Sequence, residues 1–235
     1  MADNDFDVEG LAKYLHLNLQ QVERLASRGQ IPGRRVAGNW RFNQADIHHW
    51  MEERMGVLET ADLVRVEDAM ASYDDTEQTQ PLLRSMLCLE TIAVPLNAKT
   101  RNAVIDQMAQ LAATTGMLWD PEKMADAVRN REQLQSTAMD NGVALLHSRR
   151  PLPSILGEPI LAVGITPGGI PFGGSRHLTD IFFLLCSTDD RGHLRSLARL
   201  ARMLNTEGFV DSLRHSVDAT AAFELICQTE EQLPG

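Results

Sequence analysis

Beyond Leu82 the chain alternates short apolar runs with longer segments of helical period, and this alternation commits it to an α/β layout. Strand-like runs stand at 91–96, 143–146, 160–165 and 181–186. Helical patterns occupy 100–113, 121–130, 191–204, 207–215 and 219–227. Short apolar runs bounded by turn formers pair into sheets, while apolar residues three and four apart line one helix face. A mixed β-sheet flanked by helices is therefore expected over 82–235. The stretch Gly164-Ile165-Thr166-Pro167-Gly168-Gly169 has neither the Gly-Lys-Ser/Thr ending of a P-loop nor a Rossmann glycine pattern, and reads as a loop.

The first fifty-odd residues follow another plan. Val8, Leu11, Ala12 and Leu15 repeat at helical spacing behind Asp7, a capping residue. After the tight connection His16-Leu17, Asn18 and Gln21 have the spacing of a capping box. They open a second helix that turns Leu19, Val22, Leu25 and Ala26 inward and ends at Gly29. Two short helices so joined form a helix-turn-helix, with Gln20, Gln21 and Arg24 facing outward where base edges are read. Residues 31–42 then read as two strands around a Gly38-Asn39 turn, a basic wing carrying Arg34, Arg35 and Arg41. Asn43 caps a third helix whose core stripe is Ile47, Trp50, Met51 and Met55, with His48 and His49 left in solvent.

Charge supports the division. The chain of 235 residues carries a formal net charge of −10, yet residues 8–43 hold six basic residues (Lys13, Arg24, Arg28, Arg34, Arg35, Arg41) against two acidic ones (Glu9, Glu23). A local basic face inside an acidic chain suits phosphate contact by one module and argues against nonspecific nucleic-acid binding by the whole. Between the modules, 57–71 can form a helix with Leu58, Ala61 and Val64 on one side, which is also a candidate dimerising element. The acidic, proline-ended 72–81 is a hinge. The expected partition is 1–56, 57–81 and 82–235.

With 43% hydrophobic and 23% charged residues the composition is that of a globular protein. No apolar run approaches the roughly 20 residues that span a bilayer, and the acidic start has no secretory signal pattern, so no membrane association and a cytoplasmic location are expected. Cys88, Cys186 and Cys227 are odd in number and widely spaced, as buried thiols are, and suggest neither a disulfide framework nor a metal site. No cofactor is implied.

Two family resemblances follow from these residues. Helix, turn, helix, Arg28-Gly29-Gln30-Ile31-Pro32, a basic hairpin with Asn39-Trp40-Arg41-Phe42 and an Ile47-x-x-Trp50 helix together resemble the excisionase or MerR-like winged-helix family. That implies double-stranded DNA as partner, the second helix in the major groove and the hairpin on phosphate or minor groove. Alternatively these arginines merely solubilise a small fold, or Arg41 is paired within it. One such domain covers little DNA, so specificity calls for a homodimer or tandem sites.

The second resemblance covers about 86–228. It rests on Arg131-Glu132, Ser136-Thr137, Gly142-Val143-Ala144-Leu145-Leu146-His147, Gly169-Ile170-Pro171-Phe172, Phe182-Phe183-Leu184-Leu185 and His193-Leu194. In that order these resemble enzyme IIA of the fructose/mannitol and nitrogen-regulatory kind in the sugar phosphotransferase system. The resemblance implies that His147 accepts a phosphoryl group from a histidine-containing phosphocarrier protein, that His193 lies beside it and that Arg131 helps hold the phosphate. The family usually has proline before the active histidine, where this chain has Leu146. A neutral imidazole offers a lone pair at pH 7 without prior deprotonation, and a second imidazole with a guanidinium can balance the charge of the transferring group, with no metal or nucleotide.

The expected function is a DNA-binding transcriptional regulator whose enzyme IIA-like domain reports phosphotransferase status, its phosphohistidine chemistry that of a carrier rather than a turnover enzyme. Alternatives are a phosphorelay component passing phosphate to a partner, a sensor that is never phosphorylated, and an architectural DNA-binding protein. His147 alone also reads as a satisfied buried histidine, and His193 as a polar group opening a helix. Arg149 and Arg150 are docking charges or solvated residues; His177 and His215 are surface residues.

Overall fold

A computed structural model of the chain describes residues 5–15, 17–55, 63–64, 83–173 and 177–233. The hinge and nearly all of the expected connector helix lie outside these residues, as does His16; Leu63, which is described, is fully buried.

The first unit is a winged helix-turn-helix. Asp7 accepts from Gly10 N at 2.7 Å and opens α1 (Val8–Tyr14), which buries Leu11, Ala12 and Tyr14. Asn18 and Gln21 form the expected capping box at the start of α2 (Leu19–Ser27). The helix buries Val22 and Ala26, half-buries Leu25 and leaves Leu19 51% exposed, against the inward orientation expected of it. At the first helical position Leu19 precedes the turn that faces the core.

The wing is larger than the sequence suggests. β1 (Asp5–Phe6) pairs antiparallel with β3 (Asn39–Asn43), which also pairs with β2 (Arg34–Val36), giving the order β1-β3-β2. Its turn is Ala37-Gly38 rather than Gly38-Asn39: both residues have positive φ (49° and 86°), as a two-residue primed turn requires, and Asn39 already belongs to β3. Asn43 Oδ1 receives Ala45 N and opens α3 (Gln44–Met55), while the Trp50 indole donates to the Gln30 carbonyl at 2.7 Å. His48 is 4% exposed, not solvated as expected, and His49 is half-buried.

The second unit is built on a four-stranded mixed sheet of order β4-β6-β7-β5, comprising β4 (Ile92–Ala93), β5 (Val143–His147), β6 (Ile160–Ile170) and β7 (Thr179–Cys186). β6 runs antiparallel to β7, whereas β4 with β6 and β5 with β7 are parallel. The helices are α4 (Arg101–Ala113), α5 (Pro121–Leu134), α6 (Asp190–Leu204), α7 (Phe209–Arg214) and α8 (Ala219–Gln232). Strict alternation assigns the faces. Ala144, Leu146, Phe182 and Leu184 pack with α4 and α5, while Val143, Leu145, Phe183 and Leu185 pack with α6 to α8.

Three expectations for this unit change. The 91–96 run yields only the short β4, preceded by a 3-10 turn at Leu89–Thr91. α5 extends to Leu134, so Arg131 and Glu132 are helical. The Gly164–Gly169 stretch is strand rather than loop: β6 continues to Ile170 with its pairing interrupted between Ile165 and Ile170, and Thr166 Oγ1 donates to the Gly168 carbonyl at 2.9 Å, with the Asp180 carbonyl 3.2 Å away across the irregularity. A Cβ on Gly169 would lie 2.4 Å from Leu178 Cβ, which explains glycine in an extended segment. Of the cysteines only Cys186 is fully buried, and burial pushes its thiol up to about 12; Cys88 and Cys227 are half-buried.

The two units touch. α3 packs against α6, and the apolar core of the first unit (Leu11, Ile47, Met51) continues into the layer above the sheet (Leu194, Leu197, Ala201).

Candidate functional site

His147 ends β5 with the parity of Val143 and Leu145, so its ring falls on the α6 side of the sheet. There it meets His193, on the first turn of α6. The ring centroids are 5.1 Å apart and the planes tilted by 54°, with side chains 3% and 2% exposed. His147 Nδ1 lies 2.8 Å from the Leu145 carbonyl. A carbonyl can only accept, so Nδ1 carries the proton of the neutral ring and the lone pair resides on Nε2. His193 Nδ1 lies 3.0 Å from Ser187 Oγ, and Asp189 caps α6 by accepting from Gly192 N, which fixes the first turn of the helix. His193 is thus both the neighbour of His147 and a group at a helix start.

Arg131 is 3% exposed on the last turn of α5 and donates from Nη1 to the Gln135 carbonyl at 2.8 Å. No described residue accepts from its Nε, and neither imidazole is among its hydrogen-bond partners. An antiparallel bridge between Ala138 and Ala144 lays the segment after α5 along the free edge of β5, in the direction of His147. Arg131 holds the first residue of that segment, Gln135. The next two are held by Glu132, whose buried carboxylate receives Arg101 Nη2 (3.0 Å), Ser136 Oγ (3.2 Å) and Thr137 N (3.1 Å), together with Thr137 Oγ1. The Arg101 guanidinium also lies over the Phe172 ring, 5.3 Å from its centroid. Arg101, Glu132 and Ser187 escaped sequence reasoning because their role comes from contacts across elements; only the pair Arg131-Glu132 was a signal.

At the other end of the molecule, Gln20 and Arg24 are exposed on α2 as expected. Gln21 is not free for base reading, because its Oε1 accepts from Asn18 N within the capping box. In the wing, Arg34 donates to Asp5 at 2.7 Å, Arg35 lies 5.0 Å over the Trp40 ring and Arg41 stands 3.9 Å from Asp7. The Arg34 and Asn43 hydrogen bonds hold the Asp5 carboxyl below its ordinary range. Arg149, Arg150, His177 and His215 lie at the surface. Among the described residues no cluster of three or more metal-binding side chains occurs, and no helix is long and apolar enough to cross a membrane.

The profile of the family described as phosphoenolpyruvate-dependent sugar phosphotransferase system, EIIA 2, matches residues 85–229. The chain belongs to this family. A helix-turn-helix domain profile matches residues 6–55, so the protein fuses a helix-turn-helix domain to an EIIA type 2 domain. The chain is 30% identical over 154 residues to a nitrogen regulatory protein of Bradyrhizobium diazoefficiens, covering 61% of this chain and 94% of that protein. It is 26% identical over 155 residues to the fructose-specific EIIABC component of Bacillus subtilis, of which it spans only 24%. Among solved structures, nitrogen regulatory protein IIA-Ntr from Neisseria meningitidis superposes with a TM-score of 0.56 at 19% identity, over 62% of this chain and 99% of that one. IIA mannitol from Escherichia coli gives 0.52 at 20% identity, over 60% and 98%. These superpositions establish the fold.

Proposed function

We propose that this protein is a DNA-binding regulator that takes a phosphoryl group onto His147 Nε2 from a histidine-containing phosphocarrier protein. The observation that carries the reading is the buried His147–His193 pair, with the His147 tautomer set by the Leu145 carbonyl. In the transfer, the carrier's N–P bond breaks and its electron pair returns to the carrier imidazole as the His147 Nε2 lone pair forms the new N–P bond. No oxidation state changes and no cofactor enters. Charge on the equatorial phosphoryl oxygens is balanced by the His193 imidazole and the Arg131 guanidinium, whose buried Nε has donor capacity to spare. The DNA-binding reading is supported by exposed Gln20 and Arg24 on α2 and by the three wing arginines.

Incubating the protein with phosphoenolpyruvate, enzyme I and the phosphocarrier should give an acid-labile label that His147→Ala abolishes. A wild-type protein that stays unlabelled refutes acceptance. In a salt-titrated shift assay, Arg24→Ala should weaken sequence preference, and Arg34→Ala should weaken affinity evenly with a smaller salt slope.

A further inference from the structure

The first turn of α6 faces two ways. His193 packs on His147, and Asp190, three residues earlier and so on a neighbouring part of the same helix surface, reaches the helix-turn-helix unit. Asp190 Oδ2 lies 3.8 Å from His48 Nδ1, and His48 Nε2 lies 2.6 Å from Tyr14 Oη. Tyr14 stacks on His48 and on Phe6, so the contact runs from α6 through α3 into α1 and the wing strand β1. Burial pushes the Tyr14 phenol well above its ordinary value, so it remains neutral. Its hydrogen bond with Nε2 leaves Nδ1 as the ring atom that faces Asp190.

We propose that the Asp190–His48–Tyr14 contact is the latch through which the phosphoryl state of His147 reaches the DNA-binding unit. The proposal rests on the reading of His147 as acceptor. The two rings are nearly inaccessible and 5.1 Å apart, so a phosphoryl group on His147 crowds His193 and with it the first turn of α6. The added charge of about −1.5 to −2 also arrives beside a turn that already carries Asp189 and Asp190. Displacing that turn moves Asp190 relative to His48. The turn is stiff, because the Asp189 cap and the His193 contact with Ser187 make it shift as one piece.

The test uses the full chain and a duplex selected by the protein from random sequences. Asp190→Asn is suited to it because the Asp190 side chain is 52% exposed and the capping residue Asp189 is kept. Wild type and Asp190→Asn should take label to the same end point. The ratio of DNA affinities between labelled and unlabelled forms should be tenfold or more in wild type and within twofold of unity in the variant. His48→Gln should reproduce the loss, with amide exchange across α3 faster than in wild type. A labelled Asp190→Asn protein that keeps the wild-type ratio overturns the latch while leaving acceptance at His147 intact. Wild type that takes no label overturns acceptance and the latch together; wild type that takes label without any change in DNA affinity overturns the latch alone.

Discussion

Replacing Glu132 with glutamine should destabilise the second unit by about 2–4 kcal/mol. The carboxylate is 1% exposed, and its two oxygens serve four donors, one pair from Thr137 and the other from Arg101 and Ser136. An amide keeps one oxygen and turns an NH2 group on the other pair. If nitrogen faces Thr137, a backbone N–H loses its acceptor. If it faces Arg101, a charge-assisted bond is lost while the Ser136 hydroxyl can rotate to accept. Either loss is worth roughly 1.5–3 kcal/mol, and removal of the negative charge beside a partly buried guanidinium adds to it. With a urea slope of about 2–3 kcal/mol/M, the unfolding midpoint should fall by about 1 M at unchanged slope. The variant should also label more slowly at His147, because Glu132 anchors the segment that Arg131 holds beside β5. A midpoint within about 0.2 M of wild type would refute the assignment of Glu132 as the organiser of that segment.

Ala37→Asn should stabilise the wing by about 1 kcal/mol, since asparagine tolerates the left-handed conformation that Ala37 adopts at φ 49°; an unchanged thermal midpoint of the first unit would count against the primed-turn reading. The raised pKa of Tyr14 means that ionisation is opposed in the fold, so stability is full below about 10, the ordinary phenol value, and declines as pH rises above it. An ultraviolet titration should therefore show Tyr14 ionising late, and its ionising at the ordinary value with the fold intact would contradict the burial argument. Asp5→Asn should raise DNA affinity about twofold with little change in salt slope, because the carboxylate that competes with phosphate for the Arg34 guanidinium loses its charge. The Asp5 carboxyl is held below its ordinary range, so the Arg34 contact persists above the usual carboxylate pKa and is lost as pH falls through the lowered one; lowering pH should mimic the substitution, to be followed by carboxylate chemical shifts.

The fold was legible where the information is local. Asp7 and Asn18 cap helices by hydrogen bonds to residues three positions on, and the continuous apolar runs of β5 and β7 mark strands buried on both faces. The failures have one physical form. Asp5–Phe6 is too short to carry a period, and it is a strand only because β3 offers a free edge. The pattern of α3 alone leaves His48 in solvent, whereas Tyr14 of α1 stacks on its ring and Asp190 of α6 stands beside it. The Pro167-Gly168-Gly169 run has the composition of a turn, yet it stays extended beside Leu178. The nearness of His193 to His147 was legible by resemblance, whereas the tautomer and the Glu132 network exist only through tertiary contacts.

The way the two units meet limits how a phosphoryl signal can act on DNA. The first unit docks on α6 through α3, with His48 bridging to Tyr14 of α1, while Gln20 and Arg24 of α2 and Arg34 and Arg35 of the wing are exposed. A surface that is already open cannot be regulated by uncovering it. What the latch can change is the angle at which that surface is presented, and angle matters when two such surfaces must meet half-sites about one helical turn apart. Phosphorylation is therefore expected to leave affinity for a single half-site within twofold. It should change affinity for a paired site tenfold or more, with a different optimal spacing in each state, as measured by shift assays on duplexes of stepped half-site separation. Equal phosphorylation effects on single and paired sites would show that the signal acts on the reading helix itself, and the orientation argument would fail.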